Sequence, residues 1–591
     1  MTLSRHAAFL WVSVIVLAAL ALRAIGLKYG LPHLYHQDEP LLVNHALAIG
    51  ATRDWNPHFF THGPLTIYAL FVLYAALFVV MKVGGAVQGS TDFAIQFLKD
   101  PTIFYYVGRI LIGVAPGVAS VYAMARWGNG LWSKSGLYAA AFLSVIPLYV
   151  QTGHFISPDA PLALAATAVF MTLCLILEAP SSKRWMKLGA WLGFGLACKL
   201  TAAFLIPSVV CAAIFLFFSK KIPSVSRAVL DLIRCGAVCA AVFFILAPFN
   251  FLDWPHFWAQ MQSQRGAETV LEPWFHLNHS LAWGVGAPVL VLAAIGAAAG
   301  IRAKRTSAWL ILFWVVSIYL ANTIVGMRFA RRILPLIPAL CVAAGWGMAA
   351  VLDRIKGRSI RWLVASLMMT ATAVPAVYLD RLLLSLDTRT ECLAWFRSQV
   401  PAGEVIVLDN RFFGPRLEQT TDLIERKKES LQAAQNDRDA EVTYISGPDV
   451  NRVRSQRLEL MSAVSDPAAA YRVYTLSEAP RGAEVPLVML PVAAPEAGEL
   501  DRLAARYVVF NYSEVNPRFH ALKEVFGTRL RLEAAFTPYK DTARRRPIDR
   551  YESTAAPLDW RDVLSRRRLG PYLEVYRLMP PADGSPSTPY A

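Results

Sequence analysis

Long apolar runs alternate with short polar connectors through the first two thirds of the chain. Each run of about 18–22 residues is long enough, at about 1.5 Å rise per residue, to cross a hydrocarbon core of roughly 30 Å. The pattern predicts eleven transmembrane helices, at about 7–27, 103–125, 135–153, 160–178, 187–199, 201–218, 229–249, 281–301, 307–325, 332–352 and 361–380. One more apolar stretch, 63–83, has the composition of a span. From about residue 381 the runs shorten. "EVIVLDN", "VPLVMLPV", "ARYVVFNYS" and "YLEVYRL" are strand-like, and polar stretches such as "TTDLIERKKESLQAAQNDRDAE" are helix-like. That is the pattern of a small α/β domain. The expected architecture is an α-helical polytopic membrane domain over 1–380 followed by a soluble α/β domain over 381–591. Its last residues, "PPADGSPSTPYA", from about 580, are expected to be disordered.

Composition sharpens the picture. A chain of 591 residues, 55% hydrophobic and with mean hydropathy +0.40, is too apolar for a water-soluble globule. The net charge of +16 is uneven: residues 1–380 hold 28 Lys+Arg against 13 Asp+Glu, the remainder 30 against 29. The basic excess therefore marks cytoplasmic connectors. A nucleic-acid binder needs a basic face on a soluble domain, and the tail is balanced, so no nucleic-acid partner is expected. The seven cysteines form no CxxC spacing and read as small buried hydrophobes. No small-residue cleavage site followed by soluble sequence succeeds the first run, which reads as an uncleaved span.

The connectors "ARWGNGLWSK", "SSKRWMK", "SKKIPSVSR", "RAKR" and "DRIKGRSIR" are basic, and alternate with connectors such as "HFISPDAP" that are not. With the basic ones cytoplasmic, the spans alternate only if 63–83 lies in, or dips into, the outer interface; a full crossing with another span misassigned is the alternative. The N-terminus is then inside. Segment 28–102, loop 250–280 and the tail lie outside, in the periplasm of a bacterium whose inner membrane holds the chain. Of the thirteen acids before residue 381, only Glu178, Asp231 and Asp353 fall inside. Asp38, Glu39, Asp54, Asp92, Asp100, Asp159, Asp253, Glu268 and Glu272 fall outside, with Asp380 at the outer end of the last span.

Four outer constellations carry candidate chemistry. Asp38 and Glu39 sit in "LYHQDEPLLVNHA", where the bland alternative is a pair of helix N-terminal acids before Pro40. His154 and Asp159 share the short turn "TGHFISPDAPLALAA", where Asp159 can equally be a cap. Lys199 interrupts "GLACKLTAAF"; it either snorkels or holds an anionic headgroup. Arg328, Arg331 and Arg332 in "VGMRFARRILPLIPAL" lie outside, against the positive-inside trend. Guanidinium forks suit phosphate; anchoring to anionic lipid is the alternative. A carboxylate can deprotonate a hydroxyl or amine, and Arg and Lys can take the charge on a departing phosphate. The combination predicts transfer of a group from a lipid phosphate to an acceptor.

"HQDEP", "THGPLTIYAL", "ISPDAPL", "ACKLTAAFLIP", "EPWFHLNHSL" and "MRFARRILPLIPAL", in this order over about residues 5–380, resemble the glycosyltransferase C superfamily. The nearest branch is that of protein O-mannosyltransferases and the bacterial aminoarabinose transferase of lipid A. The resemblance implies an inverting transfer from a polyprenyl-phosphate sugar in an outward cavity, with juxtamembrane helices in the first outer loop. It gives Asp38 the catalytic acid's place, Glu39 its neighbour's and Asp159 that of the second outer-loop acid. It gives Lys199 a basic place after the fifth span, and brings Arg328 or Arg331 to the lipid phosphate. His62 and Gly63 stand where the aminoarabinose transferase has Glu-Lys, a departure that separates this chain from that substrate. His36, His62 and His154 are expected to contact sugar or phosphate. Together with His58 they could alternatively hold a divalent metal, but their spacing is no metal motif and the chemistry requires none. The expected partners are a polyprenyl-phosphate sugar, membrane lipid and an acceptor that is glycan, lipid or protein. The rival readings are a lipid-linked oligosaccharide flippase or transporter, an O-antigen ligase or polymerase, and a structural subunit.

Overall fold

The computed structural model describes residues 4–265, 272–326, 328–409, 413–433, 450–476, 489–490, 500–501, 503–511, 526–544 and 559–580. Among them, nine helices are long and apolar enough to cross a membrane, and Ala287–Arg302 is a shorter apolar helix. The first, Arg5–Ala24, begins where the Ser4 hydroxyl accepts from Ala7 N at 3.2 Å, satisfying one of the free N–H groups of the first turn. The expected span at 135–153 is broken: Lys134–Val145 ends at Ile146, and Pro147 starts a new short helix, Pro147–Thr152, because proline cannot continue the hydrogen-bond ladder. The expected 187–199 starts earlier, as Ser182–Cys198, with Lys183, Arg184 and Lys187 in its first half. Thr102–Trp132 is one rod interrupted by a π-turn at Ile110–Val114, directly after Arg109.

The bundle core is a single apolar cluster drawn mainly from Lys134–Val145, Asp159–Glu178, Ser182–Cys198, Ile206–Phe218, Ala287–Arg302, Thr306–Val325 and Ile337–Arg354. Small residues allow backbone contact. A Cβ on Gly296 would overlap the Ala343 carbonyl, and one on Gly347 the Leu292 carbonyl, so these two helices pack at glycine. The helix Pro64–Val83 is 20 residues long and apolar. Its buried Ile67, Leu70 and Tyr74 join a second cluster, with Leu42, Val43 and Ala46 of Asp38–Thr52 and Phe104 and Tyr105 of Thr102–Arg109. It therefore packs with the helices around it in sequence.

The C-terminal sheet has strands β1 (Val405–Leu408), β2 (Glu418–Gln419), β3 (Ala470–Leu476), β4 (Met489–Leu490), β5 (Tyr507–Asn511), β6 (Leu530–Phe536) and β7 (Leu573–Leu578). Their order is β2-β3-β1-β5-β7-β6, with β4 also on β3. β1, β3 and β5 run parallel; β7 is antiparallel to β5 and to β6. Alternate residues of β1 enter opposite cores, Val405 and Val407 on one face, Ile406 and Leu408 on the other, as a strand covered on both sides requires. The helix Thr388–Gln399 supplies Cys392 and Phe396 to the second core. Sequence reading found β1, β4, β5 and β7 but not β2, β3 or β6. The rest of the expected helix beyond Ala433, Glu268 and the terminal segment lie outside the described residues.

The sheet region touches the membrane region at named points. Tyr378 donates to the Arg566 carbonyl at 3.1 Å, and Arg457 to Asn44 Oδ1 at 3.2 Å. The helix Val450–Val464 packs on Ser90–Lys99.

Candidate functional site

Four helix ends meet at one end of the bundle. Asp38 opens Asp38–Thr52; Asp159 opens Asp159–Glu178 after Pro158; Lys199 follows the end of Ser182–Cys198 in extended conformation; Arg331 lies in the 3-10 turn Ala330–Leu336 before Ile337–Arg354. Gly63 fastens the approach to Lys199. Its N–H donates to the Cys198 carbonyl at 3.1 Å, and a Cβ there would overlap the Ala197 and Cys198 carbonyls.

The four charges alternate. Arg331 Nη1 is 2.8 Å from Asp38 Oδ2, and its Nε is 3.4 Å from Asp159 Oδ2. Lys199 Nζ donates to Asp159 Oδ1 at 2.7 Å, and Ser157 Oγ donates to Oδ2 at 2.7 Å. Asp159 is almost wholly buried; Asp38, Arg331 and Lys199 retain 16%, 13% and 14% of their side-chain exposure, enough to meet a ligand. Asp38 Oδ2, Arg331 Nη1, Arg332 Nη1 and His62 Nδ1 are buried atoms without an aligned hydrogen bond among the described residues. The Asp38–Arg331 contact is a close charge pair at 2.8 Å. Arg332 Nη1 and His62 Nδ1, without a hydrogen bond among the described residues, are what a polar ligand can use.

Electrostatics fixes protonation around Asp38. Burial works to raise its carboxyl, but Arg331 foremost, then His36, His62 and Lys199, more than offsets that and holds it well below the usual carboxylate range. Burial pushes His62 down to about 4, against the pull of Asp38, so the ring is neutral at pH 7. Burial likewise lowers His36.

Other expected site residues are elsewhere. Glu39 is fully buried and takes a bidentate pair from Arg109, Nε at 2.7 Å and Nη2 at 2.6 Å, with Ile156 N–H adding a bond at 2.9 Å. Its oxygens are committed, so it positions the helix rather than reacting. His36 stacks on Phe155 with ring centroids 4.5 Å apart, and its Nδ1 accepts from Asp38 N at 3.3 Å. His154 turns away, with Nδ1 and Nε2 on the Val150 and Ile25 carbonyls at 3.0 and 2.9 Å, and Asp380 3.4 Å from Nε2. Arg328 pairs with the half-exposed Glu272 at 2.9 Å. Sequence reasoning missed Arg109 altogether. Its signal was a lone arginine inside the apolar run "FYYVGRILIG".

Among the described residues, one group of three metal-capable side chains converges: His58, Asp253 and His256, with donor atoms within 4.8 Å of one another. Asn56 Nδ2 also donates to Asp253 Oδ2 at 2.7 Å, and Asp54 Oδ2 is 2.8 Å from His58 Nε2. Of the four histidines named from sequence, only His58 belongs to it.

Residues 100–247 match the family model described as dolichyl-phosphate-mannose-protein mannosyltransferase. Among solved structures, ArnT from Cupriavidus metallidurans in the apo state is similar at 15% identity over 89% of this chain and 96% of its own, with a TM-score of 0.46. The same protein bound to undecaprenyl phosphate gives 13% identity, 98% and 100% coverage and a TM-score of 0.47. The archaeal oligosaccharyltransferase AglB from Archaeoglobus fulgidus, in complex with an inhibitory peptide and a dolichol-phosphate, gives 11% identity, 88% and 72% coverage and a TM-score of 0.46. A search of curated proteins gave no match. The matched segment lies inside the region whose ordered motifs carry the resemblance; over residues 100–247 this chain, with its nine long apolar helices among the described residues, is similar to that mannosyltransferase family.

Proposed function

We propose that this chain moves a sugar from a polyprenyl-phosphate donor to a hydroxyl or amine acceptor, with inversion, at the extracytoplasmic face of a bacterial inner membrane. The observation that carries the proposal is the position of Arg331 between Asp38 and Asp159, with Lys199 on the far side of Asp159. Residues 1–380 form the transferase domain in this reading and 381–591 an extracytoplasmic domain. The basic connectors support that orientation, and the family description supports a lipid-phosphate donor.

In the proposed reaction the Asp38 carboxylate takes the acceptor's proton as its oxygen or nitrogen attacks the anomeric carbon from the face opposite the phosphate. The bond between that carbon and the phosphate oxygen breaks, and its electron pair leaves with the phosphate. Lys199, Arg331 and Arg332 take up the charge there. Asp159 holds Lys199 and Arg331 in place. His62, neutral and with Nδ1 unspent, bonds a sugar hydroxyl. A carboxylate held so far down is ionised but a weak base. A phosphate engaging Arg331 would withdraw part of that cation from Asp38 and strengthen the base when the donor is present.

Mass spectrometry of lipid co-purifying with the protein, together with transfer from a synthetic polyprenyl-phosphate sugar, tests this. The reading requires that lipid, and loss of transfer in Asp38→Asn with donor still bound. Lipid translocation without transfer would indicate a flippase instead.

A further inference from the structure

Asp38 is held by a stretch of chain that the C-terminal region grips. Residues between Arg5–Ala24 and Asp38–Thr52 are clamped from two sides. On one side, Arg109 Nη1 donates to the Leu27 and Tyr29 carbonyls at 2.6 and 2.8 Å, while its Nε and Nη2 hold Glu39. On the other side are Asp387 and Arg389, at the start of the helix Thr388–Gln399. Tyr29 Oη donates to Asp387 Oδ2 at 2.5 Å. Arg389 Nε donates to Asp387 Oδ1 at 2.8 Å and Nη2 to Oδ2 at 2.9 Å, and its guanidinium lies 3.8 Å from the centre of the Tyr35 ring. Tyr35 Oη and Thr390 Oγ1 are 2.8 Å apart. Tyr29, Tyr35, Asp387 and Arg389 are all buried.

These contacts lead to Asp38 along two short routes. Phe155 packs between Tyr29 and His36, and His36 accepts from Asp38 N. The Tyr29 backbone shares Arg109 with Glu39, the residue after Asp38. We infer that Asp387 and Arg389 are positioning residues for transfer: through Tyr29 and Tyr35 they fix the loop that presents Asp38 to Arg331, and this is a task of the C-terminal domain. The inference rests on the transfer reading above. The Asp387–Arg389 pair lies within one segment and orients both side chains toward Tyr29 and Tyr35, which carry the contact between the two stretches of chain. The reacting groups tolerate little displacement, because a shift of about 1 Å can cost about 100-fold in rate.

Tyr29→Phe is the mildest probe. It removes the hydroxyl bond to Asp387, keeps the ring against Phe155 and Tyr35, and leaves the backbone carbonyl on Arg109. Asp387→Asn is the second. Both are assayed in the full-length protein with a polyprenyl-phosphate sugar, beside Asp38→Asn. The expected result is a fall in kcat of about 10- to 100-fold with donor KM changed less than about twofold. The acid limb of the kcat profile should also move to higher pH, as Asp38 loses its fixed distance to Arg331 among His36, His62 and Lys199. The double variant should lose little more than either single one. Wild-type kcat in Tyr29→Phe and Asp387→Asn overturns the inference. So does a loss that only tracks the folded fraction, with the acid limb unmoved. If Asp38→Asn is inactive while both tail variants are normal, positioning alone falls. If Asp38→Asn transfers normally, the transfer reading falls as well.

Discussion

Replacing Arg331 by glutamine removes the cation that, among the described residues, pairs with both carboxylates of the candidate site. In the native arrangement Nη1 is 2.8 Å from Asp38 and Nε 3.4 Å from Asp159. Removing one partner of a largely buried pair leaves charge uncompensated, at a cost of about 3–5 kcal/mol. Part of this is relieved by protonation. With Arg331 gone, burial, which raises the Asp38 carboxyl, is opposed only by weaker neighbours. The sign follows. A carboxyl depressed in the folded state contributes stability above its unfolded value near 4, lost as pH falls through the folded value; in the variant that contribution shrinks and the base protonates at higher pH. In the proposed reaction the cation would also be missing from the departing phosphate, a loss of about 10²–10³ in kcat where one such donor is removed. The assay is transfer from a labelled polyprenyl-phosphate sugar in nanodiscs between pH 4 and 8, beside thermal unfolding over the same range. The expected outcome is a kcat lower by that factor, a lower unfolding temperature and an acid limb shifted upward. Arg331→Gln with a rate within about tenfold of the parent and an unshifted limb would refute the electrostatic account.

Glu39→Gln should act on stability rather than chemistry. It strips the charge from the Arg109 bidentate pair, and a loss of about 3–5 kcal/mol should appear as a lower unfolding temperature, with donor KM preserved in the folded fraction. Burial depresses His45 and His62 to about 4, so the folded state resists protons that the unfolded chain binds near 6.5. Stability should therefore fall as pH drops from about 6.5 towards 4, by up to about 3 kcal/mol per ring, and His62→Gln should flatten the slope of unfolding free energy against pH. Arg328→Ala breaks the pair with half-exposed Glu272, a surface contact worth less than about 1 kcal/mol, and kcat should stay near the parent's.

Much of the candidate site was legible because charge reports sidedness. Basic connectors placed Asp38, Asp159, Lys199 and the arginines at one membrane face, and the fold brings Asp38, Asp159, Lys199 and Arg331 within contact distance in series. Glu39 was misread for a geometric reason. Neighbouring residues on a helix point about 100° apart, so an adjacent acid pair at a first turn cannot serve one pocket. Choosing among Arg328, Arg331 and Arg332 needed the backbone: a 3-10 turn begins at Ala330, and three residues per turn aims Arg331 at the acids while Arg328 meets Glu272. The span at 135–153 read as continuous because its apolarity is unbroken, while Pro147 sets the break. β3 and β6 escaped because Arg472, Arg531 and Glu533 sit among their apolar residues, which is how strands with one exposed side read. The grip of Asp387 and Arg389 on Tyr29 spans more than 350 positions and carries no local pattern.

The most direct measurement is single-turnover transfer by Asp38→Asn with donor binding followed in the same sample. The account predicts donor bound about as tightly as by the parent, and transfer slowed about 10²–10⁴-fold, the share a positioned general base contributes. Transfer at the parental rate with intact donor binding would contradict it.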